Sequence, residues 1–381
     1  MKILIAPDSF KQSLSAKEAA AAISRGILKI LPHAQITLAP ISDGGEGFVT
    51  TLIEATNGRI IETLVHDALM RPIKSFFGVL GNDDVAVIEM AAASGLALLN
   101  PTEFDPLIAS TFGTGELIQK ALDLGFRKII LGIGGSATND GGIGMARALG
   151  VRFLDEENKE IGQNQRTWMK ISKIDVSGLN PHLKSSGIIA AVDVLNPLTG
   201  PKGATRVYAQ QKGATPESIE ILERNLCHYA AILRNQFDIE VEFQPGAGAG
   251  GGLAAGLVAF ANAEIMSGFD VLGELIFLEE KIRNTDLVIT GEGKMDRQTG
   301  YGKAPYRVAS LASKHQKKVV AFTGITDKGF EELYEKGFDN IIPISPPLDL
   351  NVDVLKNASV LLQKAVEDYF GQSERANFNP T

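Results

Sequence analysis

Near the start of the chain, residues 2–7 read Lys2-Ile3-Leu4-Ile5-Ala6-Pro7, an apolar run closed by a proline. Ser15 and Glu18 have the spacing of a capping box, which predicts a helix start. Apolar residues recur at helical spacing after it, and Pro32 follows the predicted helix end. A second apolar run at Ile36–Ala39 completes a β-α-β unit, which is typical of a parallel sheet.

The same alternation of Ile-, Val- and Leu-rich runs with amphipathic helical stretches continues along the chain, so we predict an α/β fold. Between about residues 59 and 90, closely spaced strand-like segments predict antiparallel pairing instead. Further strands are predicted at Lys128–Gly132, Ile188–Val192, Leu287–Thr290, Lys318–Thr323 and Asn340–Ile344. The last dozen residues are polar and aperiodic, and we expect them to be frayed.

A chain of 381 residues exceeds what one hydrophobic core usually holds, which predicts two domains. Because the regular β-α alternation of the start returns near the end, we expect the first domain to be discontinuous. Residues 1–62 and 278–381 are predicted to form a Rossmann-like, three-layer domain with a parallel sheet. Residues 63–277 are predicted to form an inserted α/β domain with a mixed sheet, and the active site is expected in the cleft between the two domains.

The formal net charge of −8 disfavours a nucleic-acid or anionic-membrane partner, since binding a phosphate backbone takes a concentrated positive face. No apolar run approaches the roughly 20 residues of a membrane span, and the first strand is too short for a signal peptide's apolar region. Cys227 is the only cysteine, which excludes an intrachain disulfide and fits a reducing compartment. We therefore expect a cytoplasmic protein without a nucleic-acid or membrane partner, and a homodimer remains open.

Polar residues follow the first two predicted strands, which is where ligands bind in open α/β sheets. The first strand runs into Pro7-Asp8-Ser9-Phe10-Lys11, which supplies a carboxylate, a hydroxyl and an ammonium group. The second runs into Asp43-Gly44-Gly45-Glu46-Gly47, and three glycines at a helix start favour close approach of a ligand to the backbone. Both segments also suit turns and helix caps, with Asp43 as the cap and Lys11 solvated.

Two glycine-rich stretches suit a phosphate site. The first, Gly134-Gly135-Ser136-Ala137-Thr138-Asn139-Asp140-Gly141-Gly142, lies between a predicted strand and a predicted helix, where backbone N–H groups and hydroxyls form a phosphate cradle. The second, Gly246-Ala247-Gly248-Ala249-Gly250-Gly251-Gly252, leads into a predicted helix at Leu253–Ala263. Glycine-rich loops also serve tight packing, but two in one chain favour contact with a phosphate or nucleotide.

Acidic residues after two later strands suit a metal ion. Asp193 directly follows the strand that ends at Val192. Glu292 and Asp296 follow the strand Leu287–Thr290 on a glycine-hinged loop with basic residues nearby, which suits magnesium and a transferring phosphoryl group. The alternative is a charged surface loop.

Familiar nucleotide-binding signatures are either missing from this chain or incomplete. It lacks the Walker A pattern and the catalytic-loop and Asp-Phe-Gly motifs of protein kinases. A dinucleotide-binding dehydrogenase is the main rival, because Gly132–Ala137 matches the Rossmann fingerprint and Asp155 lies about 20 residues further on. Against it, Thr138–Gly142 interrupts the helix start. A non-catalytic nucleotide or sugar-acid binding protein is a third interpretation, disfavoured by the several carboxylates at strand ends.

Taken together, four of these motifs resemble the signature of the bacterial glycerate kinase family. They are residues 7–11, 43–47, 134–142 and Ile289-Thr290-Gly291-Glu292-Gly293, and the resemblance runs from residue 1 to about 370. It implies a two-domain α/β fold and phosphorylation of D-glycerate that depends on ATP and Mg2+, with 2-phosphoglycerate as the product in the closest branch. It also implies a role downstream of glyoxylate, glucarate or galactarate breakdown. The residues alone do not separate the 2- from the 3-hydroxyl, so a glycerate 3-kinase is the alternative.

Residue types suggest roles within such a kinase, because phosphoryl transfer needs in-line positioning and neutralisation of charge. We expect Lys11 to hold the glycerate carboxylate or the γ-phosphate, and Asp8 or Asp43 to orient the C2 hydroxyl. The predicted catalytic residues are Asp8, Lys11, Asp43 and Asp193. The predicted substrate contacts are Ser9, Lys11 and Glu46, and the predicted magnesium ligands are Asp193, Glu292 and Asp296. The nucleotide is expected on Gly134, Gly135, Ser136, Thr138, Asn139, Gly248, Gly250 and Glu292.

Overall fold

The computed structural model describes residues 1–10, 13–42, 47–345 and 355–377. In these ranges the strands are β1 Lys2–Ile5, β2 Gln35–Leu38, β3 Arg59–His66, β4 Pro72–Val79, β5 Val85–Glu89, β6 Lys128–Gly132, β7 Arg152–Leu154, β8 Lys173–Asp175, β9 Gly187–Val192, β10 Glu264–Ser267, β11 Leu287–Met295, β12 Lys318–Thr326 and β13 Asn340–Pro343. The α-helices in the same ranges are α1 Ala16–Ile30, α2 Phe48–Thr56, α3 Ala91–Ser94, α4 Phe112–Asp123, α5 Ile143–Ala148, α6 Ala204–Tyr208, α7 Pro216–Phe237, α8 Ala249–Ala261, α9 Gly268–Leu275, α10 Leu278–Arg283, α11 Ala304–Lys314 and α12 Ala358–Asn377.

The chain divides into two compact units. The terminal unit comprises Met1–Asp43 and Phe269–Thr381, and the central unit comprises Gly44–Gly268. The boundaries predicted from the sequence, at 62/63 and 277/278, differ from these. The first falls inside β3, which pairs with β4 along its whole length, and this pairing keeps β3 in the sheet of the central unit.

The terminal unit is built on a parallel sheet, which in the described part of the chain has the strand order β13-β12-β11-β1-β2. Apolar side chains of its strands, such as Ile5 and Phe322, form one core with α1 and α12. Helix α11 packs on β11 and β12 outside that core, so helices cover both faces. The capping box at Ser15 and Glu18 is present as predicted, with the Ser15 hydroxyl accepting from the Glu18 N–H at 3.2 Å.

Strand order places a switch point in this sheet. From β1 the chain proceeds to β2 on one side, whereas β11, β12 and β13 extend from the other side of β1. The reversal therefore lies between β1 and β11, which are paired in register with Ile5 opposite Ile289. Ligands of open α/β sheets bind outside the carboxyl ends of the strands at such a point.

The central unit is built on a mixed sheet, which among the described residues has the order β10-β9-β6-β5-β4-β3. Strands β3, β4 and β5 form an antiparallel meander, as their close spacing predicts, and β5, β6, β9 and β10 run parallel. Helices α4 and α8 pack against this sheet in one core. A second core joins α7 and α8 to the short antiparallel pair of β7 and β8.

In the described ranges, no helix is both long and apolar enough to cross a membrane.

The prediction of a frayed carboxyl terminus is wrong for residues 371–377, because α12 continues through Asn377. Its amino-terminal turns pack against the core of the terminal unit through Leu362 and Val366, and that anchoring supports a polar extension that has no apolar pattern of its own.

Candidate active site

Two buried carboxylates flank the switch point of the terminal unit. Asp8 lies just beyond β1, and its N–H donates to the Gly291 carbonyl at 2.8 Å. Glu292 follows Gly291 on β11, so the two carboxylates occupy neighbouring strand positions at the same sheet edge. Both residues are 8% exposed. The structure thus places Asp8 and Glu292 where the fold concentrates ligand contacts.

Glu292 is held by two side chains of the following segment. Its Oε1 accepts from the Thr299 hydroxyl at 2.7 Å, and its Oε2 lies 3.4 Å from the Lys303 ammonium. These contacts fix the carboxylate and supply a positive charge beside it. The sequence predicted basic residues near Glu292, and Lys303 is one of them, but it did not identify Thr299 as the residue that orients Glu292.

Asp296 has a structural role in the same segment. Its Oδ1 accepts the N–H groups of Gln298 and Thr299 at 2.8 and 3.3 Å, which caps the 3₁₀ turn Arg297–Tyr301. Its other oxygen lies 3.5 Å from the Lys294 ammonium. Capping accounts for an aspartate at this position, and a metal-binding role for Asp296 stays a prediction.

The remaining predicted residues of the terminal unit and its boundary divide into two groups. Ser9 lies next to Asp8, with its N–H donating to the Asp8 carboxylate at 2.6 Å. Lys11, Asp43 and Glu46 lie outside the described residues. The described residues contain no group of three or more His, Cys, Asp or Glu side chains that could hold a metal ion.

The first glycine-rich stretch forms a loop between β6 and α5. Gly135 is exposed with a φ of +65°, a left-handed conformation that favours glycine, and Ser136 beside it is half-buried. Thr138 and Asn139 are fully buried behind it, and the Asn139 amide donates to the Thr205 hydroxyl at 3.0 Å. The accessible part of this loop is therefore its tip at residues 134–136, and Thr138 and Asn139 support it from inside.

The second glycine-rich stretch packs against this loop. The Gly141 N–H donates to the Gly251 carbonyl at 3.0 Å, and the Thr138 hydroxyl donates to the Gly250 carbonyl at 3.4 Å. The structure therefore brings the two glycine-rich stretches together, although more than a hundred residues separate them in the sequence.

Packing explains why this second stretch contains glycine. Gly250, Gly251 and Gly252 all have positive φ, and a Cβ on Gly251 would lie 2.0 Å from the Thr138 carbonyl oxygen. A Cβ on Gly248 would lie 2.2 Å from the Pro197 carbonyl oxygen. Since close contacts within the unit and positive φ angles already account for these glycines, nucleotide contacts at Gly248 and Gly250 stay predictions.

Lys212 lies behind the loop and was not identified from the sequence. Only 2% of the residue is exposed, and its Nζ donates to the Ser136 hydroxyl at 2.7 Å and to the Thr138 carbonyl at 2.6 Å. Burial lowers the pKa of Lys212 to about 7, and the Asp140 carboxylate opposes this shift. The segment Gln210-Gln211-Lys212-Gly213 carries no motif, so only the folded chain reveals this lysine.

Asp140 anchors the end of the loop from a fully buried position. Its carboxylate accepts from the N–H and hydroxyl of Thr111 at 2.8 and 2.9 Å, and from the N–H groups of Gly142 and Gly144, both at 3.1 Å. Burial raises the pKa of Asp140, and these donors act in the opposite direction. The four contacts join the loop to the starts of α4 and α5.

Asp193 lies at the same edge of the central sheet as the loop. It follows β9, which pairs in parallel with β6 so that Gly132 is opposite Ala191. Asp193 is exposed, and its charge acts together with burial to raise the pKa of Tyr208. The Tyr208 hydroxyl donates to the Asn196 side chain at 2.8 Å. The sheet thus places Asp193 and the glycine loop on one edge, as their positions after strands predict.

Glu89 is a second residue that motif analysis did not place in a site. It ends β5, is 7% exposed, and its carboxylate accepts the N–H groups of Gly47 and Val49 at 3.1 and 3.4 Å. These are donors at the start of α2, where a negative charge is stabilised. Gly47 has a φ of +84°, so glycine at this helix start has a local conformational cause.

The structure does not support the dinucleotide fingerprint. Helix α5 begins at Ile143, well beyond Ala137, so the glycines do not open directly into a helix. Asp155 follows β7, which pairs with β8 outside the six-stranded sheet. Its carboxylate accepts the N–H groups of Glu157 and Lys159, both at 2.9 Å. Asp155 is therefore a turn residue and is not placed to bind a ribose.

Comparison with known proteins agrees with the motif analysis. Residues 3–372 match the model of the glycerate kinase family. A protein named glycerate kinase from Bacillus subtilis (strain 168) is 45% identical over 371 residues, covering 97% of this chain and 96% of that protein. A protein named glycerate 2-kinase from Escherichia coli (strain K12) is 44% identical over 344 residues, covering 90% of each.

A solved structure shows the same fold. The crystal structure of a protein from Salmonella typhimurium LT2, described there as a candidate glycerate kinase 2, matches this chain with a TM-score of 0.88 and 42% identity. The match covers 100% of both chains. The predicted α/β fold, with a parallel sheet from the termini and an inserted mixed sheet, is confirmed. The chain is a member of the glycerate kinase family.

Proposed function

We propose that this chain transfers the γ-phosphoryl group of ATP to the C2 hydroxyl of D-glycerate, giving 2-phosphoglycerate and ADP with the help of Mg2+. It is a phosphotransferase of the glycerate kinase family, with a nucleotide and glycerate as its substrates. The choice of the C2 hydroxyl is supported by the similarity to the Escherichia coli protein named glycerate 2-kinase. Phosphorylation of the 3-hydroxyl on the same scaffold is the alternative.

The observation that carries the proposal is the loop at residues 134–139. Its tip combines an exposed glycine in a left-handed conformation with the Ser136 hydroxyl, and a buried ammonium group stands directly behind it. Backbone N–H groups, a hydroxyl and a positive charge are what phosphate oxygens bind. We assign the nucleotide phosphates to Gly134, Gly135 and Ser136, and we assign the support of this tip to Thr138 and Asn139.

The carboxylates at the switch point fit magnesium. Mg2+ prefers oxygen ligands and is usually bound by one or two carboxylates together with substrate phosphates and water. Asp8 and Glu292 supply such a pair on neighbouring strands, and the Glu292 carboxylate is already oriented by Thr299. When bound, the ion would neutralise charge on the transferring phosphoryl group. We assign Glu292 and Asp8 as its first candidates, with Asp193 and Asp296 as further ones.

The other predicted roles follow from residue chemistry. Ser9 and Glu46 offer hydrogen-bonding groups for the hydroxyls of glycerate, and Lys11 offers a charge for its carboxylate. Asp43 is the candidate that orients the C2 hydroxyl if Asp8 binds the metal, because a single carboxylate seldom serves both purposes. We retain the cytoplasm as the proposed location and leave a homodimer open.

A coupled assay of ADP release with D-glycerate, ATP and Mg2+ tests the proposal, followed by phosphorus NMR of the product. A 2-phosphoglycerate signal is expected. A 3-phosphoglycerate signal would retain the kinase and reverse the regiochemistry. If neither hydroxyl of D-glycerate is phosphorylated, glycerate is rejected as the substrate. The same assay without Mg2+ tests whether the reaction depends on this ion.

A further inference from the structure

Lys212 is an unusual residue for its position. Lysine is almost never fully buried unless it is paired with an opposite charge. Lys212 is buried in the 3₁₀ turn Gln210–Lys212 between α6 and α7, and its two hydrogen bonds go to uncharged oxygen atoms. In the described part of the chain, Asp140 is the only charged group that acts on its pKa, and no hydrogen bond joins the two side chains. Holding an ammonium group there is unfavourable for folding, so it calls for another explanation.

The hydrogen bond from the Lys212 ammonium determines where the Ser136 hydroxyl can donate. A lysine ammonium has three N–H donors and no acceptor, so the Ser136 oxygen must accept from Lys212. The serine O–H is then free to donate in another direction. Because Ser136 is half-buried and Gly135 beside it is exposed, the open direction is the tip of the loop. The second hydrogen bond, to the Thr138 carbonyl, fixes the ammonium relative to the loop backbone.

We propose that Lys212 is a positioning residue of the nucleotide site, which turns the Ser136 hydroxyl outward as a donor to a phosphate oxygen of the bound nucleotide. This inference rests on the proposed function, because it takes the nucleotide phosphates to bind at the loop tip. Lys212 itself stays behind the loop and acts through Ser136. The residue also places a positive charge behind the phosphates without exposing it to solvent.

The proposed role depends on the protonation state of the lysine. A neutral amine can accept from the Ser136 O–H, which would turn that hydrogen inward and remove it from the ligand. Burial holds the pKa of Lys212 near 7, and the buried carboxylate of Asp140 is the charged group that favours the ammonium form. An anionic phosphate at the loop tip also favours the ammonium form, so nucleotide binding above pH 7 should draw in a proton.

Titration calorimetry with ADP at several pH values, each in two buffers of different ionisation enthalpy, measures both affinity and proton uptake. For the wild type we expect proton uptake and an affinity that falls as the pH rises above 7. Lys212→Met should weaken ADP binding by about 10- to 100-fold at pH 6.5, the factor expected for a lost charge-assisted hydrogen bond, and should abolish the protein's share of proton uptake. Proton release by ADP itself occurs in every variant and cancels in the comparison.

Two variants test whether Lys212 acts on ADP binding through the Ser136 hydroxyl or whether loss of any partly buried lysine has the same effect. Ser136→Ala keeps the lysine but removes the hydroxyl, so it should weaken ADP binding at pH 6.5 to a similar extent. Lys281→Met is the matched control, because Lys281 is partly buried in the terminal unit and burial lowers its pKa as well. Its ADP affinity and proton uptake should match those of the wild type. In steady-state assays, Lys212→Met and Ser136→Ala should both raise the KM for ATP. Neither variant should raise the KM for glycerate.

A measurement on the wild type covers the case in which Lys212→Met does not fold. In protein labelled with ¹³C at lysine Cε, the Lys212 signal should titrate near pH 7 and shift to a higher midpoint with ADP. A midpoint that ADP does not move would overturn the proposal, and so would unchanged ADP affinity in Ser136→Ala. Proton uptake that depends on Lys212, in an enzyme that does not phosphorylate glycerate, would support the lysine's role and reject the proposed reaction.

Discussion

Replacing Lys212 with methionine should change how the stability of the protein depends on pH. The ordinary pKa of a lysine is 10.5, and burial lowers that of Lys212 to about 7 in the folded chain. Between these values the unfolded chain binds more protons than the folded chain. The free energy of unfolding must therefore rise with pH across this window. Below pH 7 the unfavourable burial of the charge is fully present.

The two pKa values set the size of the effect. Buried charge at Lys212 destabilises the folded state by about 4 kcal/mol at pH 7 and by about 2 kcal/mol at pH 9. The wild type should thus gain about 2 kcal/mol from this residue over that range, and Lys212→Met should not. The variant also loses two hydrogen bonds, but that loss adds an offset that changes little with pH.

Urea unfolding at pH 7, 8 and 9, followed by circular dichroism, measures the difference between the two proteins. The wild type should approach or overtake the variant as the pH rises. Other titrating groups act equally in both proteins, so their contributions cancel in this difference. A difference between wild type and Lys212→Met that stays constant from pH 7 to pH 9 would refute the claim that this lysine titrates near neutrality.

Three further predictions concern the glycine packing and the carboxylates. Gly251→Ala places a Cβ 2.0 Å from a backbone carbonyl at positive φ, so it should lower the free energy of unfolding by about 2 kcal/mol or more, whereas Gly187→Ala, which meets nothing within 4 Å, should change it little in the same urea titration. Asp140→Ala leaves buried donors unpaired and should destabilise by about 3–5 kcal/mol, against less than about 1 kcal/mol for the exposed Asp84→Ala, as thermal unfolding of both variants would check. Asp193→Asn should leave the melting temperature unchanged and lower kcat by about 100-fold or more in the coupled assay, and normal turnover would remove Asp193 from the site.

The sequence predicted the elements whose pattern is local. The helix that begins after Ser15 has its own capping box, and the strand at Lys128–Gly132 has the predicted bounds because a buried run ends at glycine on a sheet edge. Contact of Gly134–Gly142 and Gly246–Gly252 with a phosphate or nucleotide was predicted, but the packing of these two stretches against each other was not. Its cause is a pair of backbone contacts between distant segments, which no local pattern contains.

The sequence could not predict the roles of residues whose partners lie far away along the chain. Lys212 carries no motif, and its role depends on the loop that folds over it. Glu89 was visible only as a charged residue ending an apolar strand, and its place at the start of α2 follows from the fold. Asp296 was predicted as a metal ligand, and the structure shows it capping a 3₁₀ turn. A sequence does not distinguish these two roles of an aspartate.

The arrangement of the terminal sheet has a consequence for how the chain is made. Strand β1 ends at Ile5, whereas its partner β11 begins only at Leu287, so β1 is synthesised well before β11. Until then, β1 and β2 can form only a two-stranded unit, which is rarely stable alone. An apolar strand edge therefore stays open until β11 has been synthesised, and such edges are prone to association with other chains. We expect the newborn chain to need protection by a chaperone until β11 has left the ribosome.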